Sequence, residues 1–209
     1  MKTLTAEQQA KITPDLAIQL LKDGNKRFVE NTKINRNLME QVNQTSEGQY
    51  PFATILSCID SRVSAELIFD QGIGDIFSIR IAGNIVNKDI LGSMEFASKV
   101  AGTKIIVVLG HTNCGAVKGA CDGVELGNLT HLLDKITPAM DLIDSPKEKE
   151  LRNSKNIDFV DAVANANVDR TVALIRKNSP ILAEMEDSGL IKLVSGMYDI
   201  QTGVVSFHA

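Results

Sequence analysis

Five short apolar runs along the chain predict β-strands, and the segments between them have helical spacing. The runs cover residues 51–58, 75–82, 103–110, 191–197 and 204–207. The third run, T-K-I-I-V-V-L-G, is β-branched and apolar on both faces, which is typical of a central strand in a parallel sheet. Strands that alternate with helices indicate an α/β fold, with a mostly parallel central β-sheet flanked by helices.

The first helical segment lies ahead of the sheet. Thr13 and Pro14 form an N-cap and first-turn pair, and apolar side chains then recur at helical spacing as far as Phe28. Further helices are predicted over residues 65–70, 87–100, 114–121 and most of 124–188.

The segment after the first helix is polar and weakly periodic over residues 32–50, so we interpret it as a linker or an extended arm. At roughly 150 residues per domain, the chain is predicted to be one domain. That domain would span 1–209, with an N-terminal helical arm and linker over 1–48 and an α/β core over 49–209. Because the linker offers little apolar surface to the helix, we expect the arm to pack on a neighbouring subunit.

Composition narrows the class of protein. The chain has 209 residues, with 22 Lys and Arg against 26 Asp and Glu, giving a net charge of −4. A dedicated nucleic-acid binder would show a clustered basic excess. The longest apolar run, residues 105–109, is far shorter than the roughly 20 residues that span a bilayer, and the N-terminus lacks the apolar core of a signal peptide. We therefore expect a cytoplasmic protein that binds neither nucleic acid nor membrane.

Two of the predicted strands end in residues that can bind a metal ion. C-I-D-S-R starts at Cys58 after the first strand, and H-T-N-C-G starts at His111 after the third. Since the carboxyl ends of parallel strands share one edge of a sheet, Cys58, His111 and Cys114 can converge there. Two thiolates and one imidazole suit a tetrahedral zinc ion with one open position, as in a catalytic site.

Each of these residues also has a simpler interpretation. A single buried cysteine is usually a small hydrophobic residue, and we expect that of Cys121, two helical turns beyond Cys114. Asp60 and Arg62 form either a surface ion pair or a dyad in which the arginine fork orients the carboxylate toward a metal. The joint pattern after two strands favours the metal site and the functional dyad.

These motifs resemble the β-class carbonic anhydrases over most of the chain, from about Pro14 to Phe207. The most specific matches are C-I-D-S-R-V from Cys58 and G-H-T-N-C-G-A-V from Gly110, with R-I-A-G-N from Arg80 in support. The resemblance implies one zinc ion per subunit. Its ligands would be Cys58, His111 and Cys114, and its catalytic dyad Asp60 and Arg62.

The resemblance also implies a substrate pocket completed across a dimer interface. Gln49 stands where the family hydrogen-bonds bicarbonate, and Phe77 and Phe96 stand where it has apolar walls. We further expect the backbone N–H of Gly115, at a predicted helix N-terminus, to stabilise bicarbonate. Ile55 replaces the Trp of a bicarbonate-inhibited subgroup, which indicates the plant-like subgroup and an open zinc position.

The expected function is reversible hydration of carbon dioxide to bicarbonate and a proton by zinc-bound hydroxide, which the Asp60–Arg62 dyad orients. Carbon dioxide and bicarbonate would be its small-molecule partners, and the protein would be a homodimer or a dimer of dimers. Two alternatives stay open from the residues alone. One is a carbon disulfide hydrolase on the same scaffold, and the other is a non-catalytic zinc-binding regulatory module with a closed fourth position.

Overall fold

Five strands form one sheet in the computed structural model, which describes residues 3–208. The strands are β1 (Ala53–Ser57), β2 (Ile76–Arg80), β3 (Ile105–His111), β4 (Lys192–Tyr198) and β5 (Val205–Phe207). Their order across the sheet is β2-β1-β3-β4-β5, and only the last pair is antiparallel. The predicted α/β fold with a mostly parallel sheet is confirmed.

Helices cover both faces of this sheet. The α-helices of the described part are α1 (Ala6–Ala10), α2 (Pro14–Val29), α3 (Leu38–Thr45), α4 (Ala65–Ile68), α5 (Lys88–Glu95), α6 (Gly115–Cys121), α7 (Gly127–Leu133), α8 (Thr137–Met140), α9 (Ile157–Asn178) and α10 (Pro180–Asp187). A π-helical turn, Phe96–Val100, continues α5, and short 3₁₀ turns cover Ala82–Asn84 and Lys149–Leu151. None of these helices is long and apolar enough to cross a membrane.

The two central strands are buried along their whole length, and their side chains alternate between two apolar layers. Leu56 and Val108 face the layer that contains α9, whereas Ile55 and Val107 face the layer that contains α2. This burial on both faces explains why the two segments are nearly continuous apolar runs in the sequence.

The register of β1 against β3 places the ends of these strands side by side. Ser57, the last residue of β1, is aligned with Leu109 of β3. Cys58 therefore leaves the sheet at the level where β3 ends in Gly110 and His111. The fold brings both sequence motifs to one edge of the sheet.

Helix α2 packs on the sheet of its own chain. The Thr13 side chain caps the helix by accepting a hydrogen bond from the Leu16 N–H, as expected. Ala17 and Leu21 are completely buried in the same apolar layer as Phe52. The chain's own sheet covers this face, while packing of the arm on a neighbouring subunit stays a prediction.

The predicted linker is also more ordered than its polar sequence suggests, since it contains α3 and an anchored loop before it. Arg36 donates to the Asp70 carboxylate at 2.5 Å, and Arg27 donates to the same carboxylate at 2.6 Å. Burial alone would raise the pKa of Asp70, but these hydrogen bonds outweigh it and hold that pKa below its usual value. The Asp70 side chain is only 3% exposed, so hydrogen bonds from the two arginines replace the hydration that its carboxylate would have in water.

Candidate metal centre

The three predicted metal ligands meet in the structure. One donor atom each from Cys58, His111 and Cys114 lies within 4.8 Å of the other two, and all three residues are buried. The two sulfur atoms are 4.0 Å apart. Cys58 comes from the end of β1, while His111 ends β3 and Cys114 precedes α6. The shared strand register described above produces this convergence.

A tight turn carries the chain from His111 to Cys114. Asn113 adopts a left-handed conformation with φ of 58°, which asparagine tolerates better than most residues. Its backbone N–H donates to the Asp161 carboxylate at 2.6 Å, and the Thr112 N–H donates to the Tyr198 carbonyl at 3.0 Å. These bonds tie the turn to α9 and β4, so two elements fix the positions of the ligands on the turn.

The orientation of the His111 ring follows from its hydrogen bonds. Nδ1 lies 3.0 Å from the carbonyl oxygen of Thr112, and because a carbonyl only accepts, Nδ1 carries the proton. In a neutral ring, Nε2 then presents a lone pair. Nε2 is buried and has no hydrogen-bond partner in residues 3–208, which is costly for a polar atom. A metal ion among the three donors would satisfy it.

The two cysteine sulfurs lie within hydrogen-bonding distance of each other. A hydrogen bond from Cys114 lowers the pKa of Cys58, and the N–H of Gly83 adds to this by donating to the Cys58 sulfur at 3.4 Å. The same bond to Cys58, together with burial, raises the pKa of Cys114. Cys58 is therefore the more readily ionised of the two thiols, and both would have to be thiolates to hold a metal. Two thiolates and an imidazole are a donor set that suits zinc.

Asp60 and Arg62 stand beside this group as a bidentate pair. Arg62 donates from Nε to Oδ1 at 2.9 Å and from Nη2 to Oδ2 at 2.7 Å. The hydrogen bonds from Arg62 hold the pKa of the Asp60 carboxyl well below its usual range. Oδ2 of Asp60 lies 3.9 Å from Nε2 of His111, so an ionised carboxylate borders the donor group.

Three of the predicted substrate-binding residues lie in surface pockets that do not include the donor group of the same chain. Gln49 lines a surface pocket with Thr45 and Gly74, and Phe77 and Phe96 meet edge to face, 6.3 Å apart, in another. None of the three metal-capable residues lines either pocket. The roles of these three residues in substrate binding stay predictions that require a second subunit.

Two other predicted positions lie on α6. Gly115 is its first residue and directly follows Cys114, so a helix does begin there, while the contact of its N–H with bicarbonate stays a prediction. Cys121 is the last residue of α6 and is buried, outside the donor group. Burial raises the pKa of the Cys121 thiol to about 11, which suits a structural side chain.

Sequence reasoning did not assign a role to Arg80, which holds the loop after β1. Its Nε donates to the carbonyl of Cys58 at 3.1 Å and its Nη2 to the carbonyl of Asp60 at 2.7 Å. The register pairs Arg80 of β2 with Ser57 of β1, so the guanidinium is level with the loop. The sequence did place Arg80 near the carboxyl end of a predicted strand, at the same edge of the sheet as the metal ligands, and this position could have indicated its role.

Comparisons with known proteins show which family the chain belongs to. The family model described as "Carbonic anhydrase" matches residues 53–205. A carbonic anhydrase of Mycolicibacterium smegmatis is 32% identical over 202 residues, covering 94% of each chain. Carbonic anhydrase 2 of Mycobacterium tuberculosis is 33% identical over 198 residues, covering 91% of this chain and 90% of the relative.

Solved structures show the same fold. The β-carbonic anhydrase CcaA superposes with a TM-score of 0.69 at 27% identity, covering 92% of this chain and 95% of its own. A structure of the tetrameric β-carbonic anhydrases of Sordaria macrospora has a TM-score of 0.65 at 25% identity, covering 80% of this chain and 88% of its own. With the family model matched across the sheet and both ligand motifs, this chain belongs to the carbonic anhydrase enzymes and, among them, to the β class.

Proposed function

We propose that this chain catalyses the reversible hydration of carbon dioxide to bicarbonate and a proton, with one zinc ion per subunit. The observation that carries the proposal is the buried group of Cys58, His111 and Cys114, in which Nε2 of His111 has no hydrogen-bond partner within residues 3–208. These three residues would hold the zinc. When bound, zinc supplies Lewis acidity, which makes water a strong nucleophile near neutral pH.

The role proposed for Asp60 is to orient the attacking water. Arg62 keeps the Asp60 carboxylate ionised and fixes its direction through the two parallel hydrogen bonds described above. An ionised carboxylate only accepts hydrogen bonds, so Asp60 takes the one that the water donates. The water then presents a lone pair to the carbon of carbon dioxide instead of a hydrogen atom.

The same geometry disfavours the regulatory-module alternative. A structural zinc site closes its fourth position with a protein ligand. Asp60 is the neighbouring carboxylate, and both of its oxygens are engaged by Arg62. We propose that the fourth position stays open, in line with Ile55 standing where the bicarbonate-inhibited subgroup has Trp.

We propose that a second copy of the chain supplies the remaining substrate contacts, from Gln49, Phe77 and Phe96, in a homodimer or a dimer of dimers. Phe77 is aligned with Thr54, four strand positions before Cys58, or about 13 Å along β1. Within one subunit these side chains therefore flank a different part of the sheet. Mixing Gln49→Ala subunits with Asp60→Asn subunits tests this directly, because a shared site recovers activity in the mixed oligomer and separate sites do not.

The reaction itself is tested by measuring the zinc content of the purified protein together with its carbon dioxide hydration rate. We expect about one zinc per chain and rapid hydration that is lost when zinc is removed. Carbon disulfide is assayed in parallel. Turnover of carbon disulfide without hydration would instead support the hydrolase alternative, and zinc without either activity would support the regulatory module.

A further inference from the structure

The backbone N–H of Gly83 is aimed at one of the two metal-capable sulfurs. Gly83 lies in the 3₁₀ turn Ala82–Asn84, between β2 and α5, and its N–H donates to Sγ of Cys58 at 3.4 Å. Gly83 has φ of 67°, a left-handed conformation in which glycine is the least strained residue. A Cβ at this position would lie 2.4 Å from Cδ1 of Ile136, so the turn also leaves no room for a side chain.

The carbonyl of this same glycine is held from the opposite side by α9. Nδ2 of Asn167 donates to the Gly83 carbonyl oxygen at 2.9 Å, across 84 positions of sequence. Asn167 is only 1% exposed, and α9 packs its buried face against β3 and β4. The N–H and the C=O of Gly83 lie on the two peptide planes that meet at its Cα, so the bond from Asn167 holds the turn at the residue that donates to Cys58.

Nothing in local folding explains an asparagine at position 167. Asparagine is a weaker helix former than alanine or leucine, and most of its neighbours on the buried face of α9 are apolar. Its Oδ1 is buried without a hydrogen-bond partner in the described part of the chain, which is a cost an apolar side chain would avoid. Among residues 3–208, the hydrogen-bond partner of this amide is the carbonyl of Gly83.

We propose that Asn167 is a positioning residue for the metal centre, acting through Gly83 on Cys58. The inference rests on the zinc binding of the proposed function. By fixing Gly83, Asn167 keeps an N–H directed at the Cys58 sulfur. That hydrogen bond fixes the position of the sulfur and withdraws electron density from it, so Cys58 donates less charge to a bound metal. Removing a residue that hydrogen-bonds to a metal ligand typically weakens metal affinity or activity by roughly 10- to 100-fold.

The test compares two alanine variants of the same helix, loaded with cobalt(II) or zinc. Asn167→Ala removes the bond to Gly83. Asn165→Ala is the matched control, because Nδ2 of Asn165 donates to the Asp161 carbonyl within α9 itself. We expect Asn167→Ala to bind zinc about 10- to 100-fold more weakly in competition with a chelator, because losing the fixed position of the Cys58 sulfur outweighs its gain in electron density. Its sulfur-to-cobalt charge-transfer band should move to longer wavelength, because the sulfur becomes more electron-rich. Asn165→Ala should match the parent in both measurements.

An unmoved charge-transfer band and parent-like zinc affinity in a folded Asn167→Ala protein would overturn the inference. If that variant does not fold, Asn167→Ser, whose side chain is shorter, is measured in the same way. The first link is tested in the parent protein loaded with ¹¹³Cd, where a scalar coupling should connect the metal to the Gly83 amide proton, and its absence would also overturn the inference. A parent protein that binds cobalt but does not hydrate carbon dioxide refutes the proposed reaction, and the band shift still decides the role of Asn167.

Discussion

Replacing Asp60 with asparagine separates its proposed role in the reaction from its role in an ion pair. The Asp60 side chain is 17% exposed and that of Arg62 is 49% exposed, so water screens the pair. An ion pair this open contributes at most about 1 kcal/mol to the free energy of unfolding. The asparagine side chain has nearly the same shape, and the fold should lose no more than that amount.

The expected effect on the reaction is far larger. Asparagine keeps one oxygen but replaces the other with an NH₂ group, which donates where the carboxylate accepts. It also lacks the charge that aligns with the Arg62 guanidinium. A positioned acid or base contributes about 10²- to 10⁴-fold to a reaction, so we expect kcat/KM for hydration to fall by a factor in that range. Zinc content should be unchanged, because Asp60 is outside the group of three donors.

The chain offers a matched control for this variant. Glu186 and Arg176 form a second bidentate pair, with distances of 2.6 and 2.8 Å and side chains that are 21% and 46% exposed. Glu186→Gln removes a similar charge from a similar pair away from the metal centre. Stopped-flow hydration kinetics, zinc analysis and urea unfolding are measured on both variants.

Both variants should lose a similar, small free energy of unfolding, and only Asp60→Asn should lose activity. A near-parent hydration rate in zinc-loaded Asp60→Asn would refute the reasoning. An equal loss of activity in Glu186→Gln would refute it too, because that result would trace the effect to general destabilisation.

Three further predictions concern the ligands, the linker and the arm. Alanine at any one of the three metal donors should abolish zinc binding and hydration, whereas Cys121→Ser should keep both. Zinc bound at the parent level in an alanine variant of a metal donor would contradict the assigned site. Asp70→Asn should destabilise the fold by about 3–5 kcal/mol near neutral pH, because it leaves Arg27 and Arg36 without their buried partner. Because folding lowers the pKa of Asp70, the difference in free energy of unfolding between the parent and this variant should be fully present above the unfolded pKa of about 4. It should disappear as the pH falls through the folded pKa, and a pH-independent difference in urea unfolding would contradict this. Leu21→Ala should cost about 2–5 kcal/mol at any protein concentration, since Leu21 packs on its own sheet, and a cost that appears only in the oligomer would contradict this packing.

The sheet and the metal ligands were predictable because both follow from short stretches of the sequence. β1 and β3 are buried on both faces, so their sequences are continuous apolar runs, and Cys58 and His111 stand where those runs end. In a parallel sheet the ends of neighbouring strands coincide, which turns two separate motifs into one candidate site. No distant contact had to be known for this step.

Features that depend on distant partners were not predictable. The Arg36–Asp70 ion pair joins residues 34 positions apart and orders a segment whose composition is typical of a linker. Asn167 in a helical pattern indicates only a weak helix former, and its partner Gly83 lies 84 positions away. The packing of α2 on its own sheet was not predictable for the same reason, since its apolar partners are in the sheet and not in the adjacent sequence.

The central claim is most directly tested by titrating zinc-free protein with zinc while following carbon dioxide hydration. If Cys58, His111 and Cys114 form the one metal centre of the reaction, the rate should rise linearly and level off at about one zinc per chain. The Cys58→Ala protein, titrated alongside, should stay inactive throughout. Zinc that binds the parent at this ratio without producing hydration, or hydration by the zinc-free chain, would contradict the account.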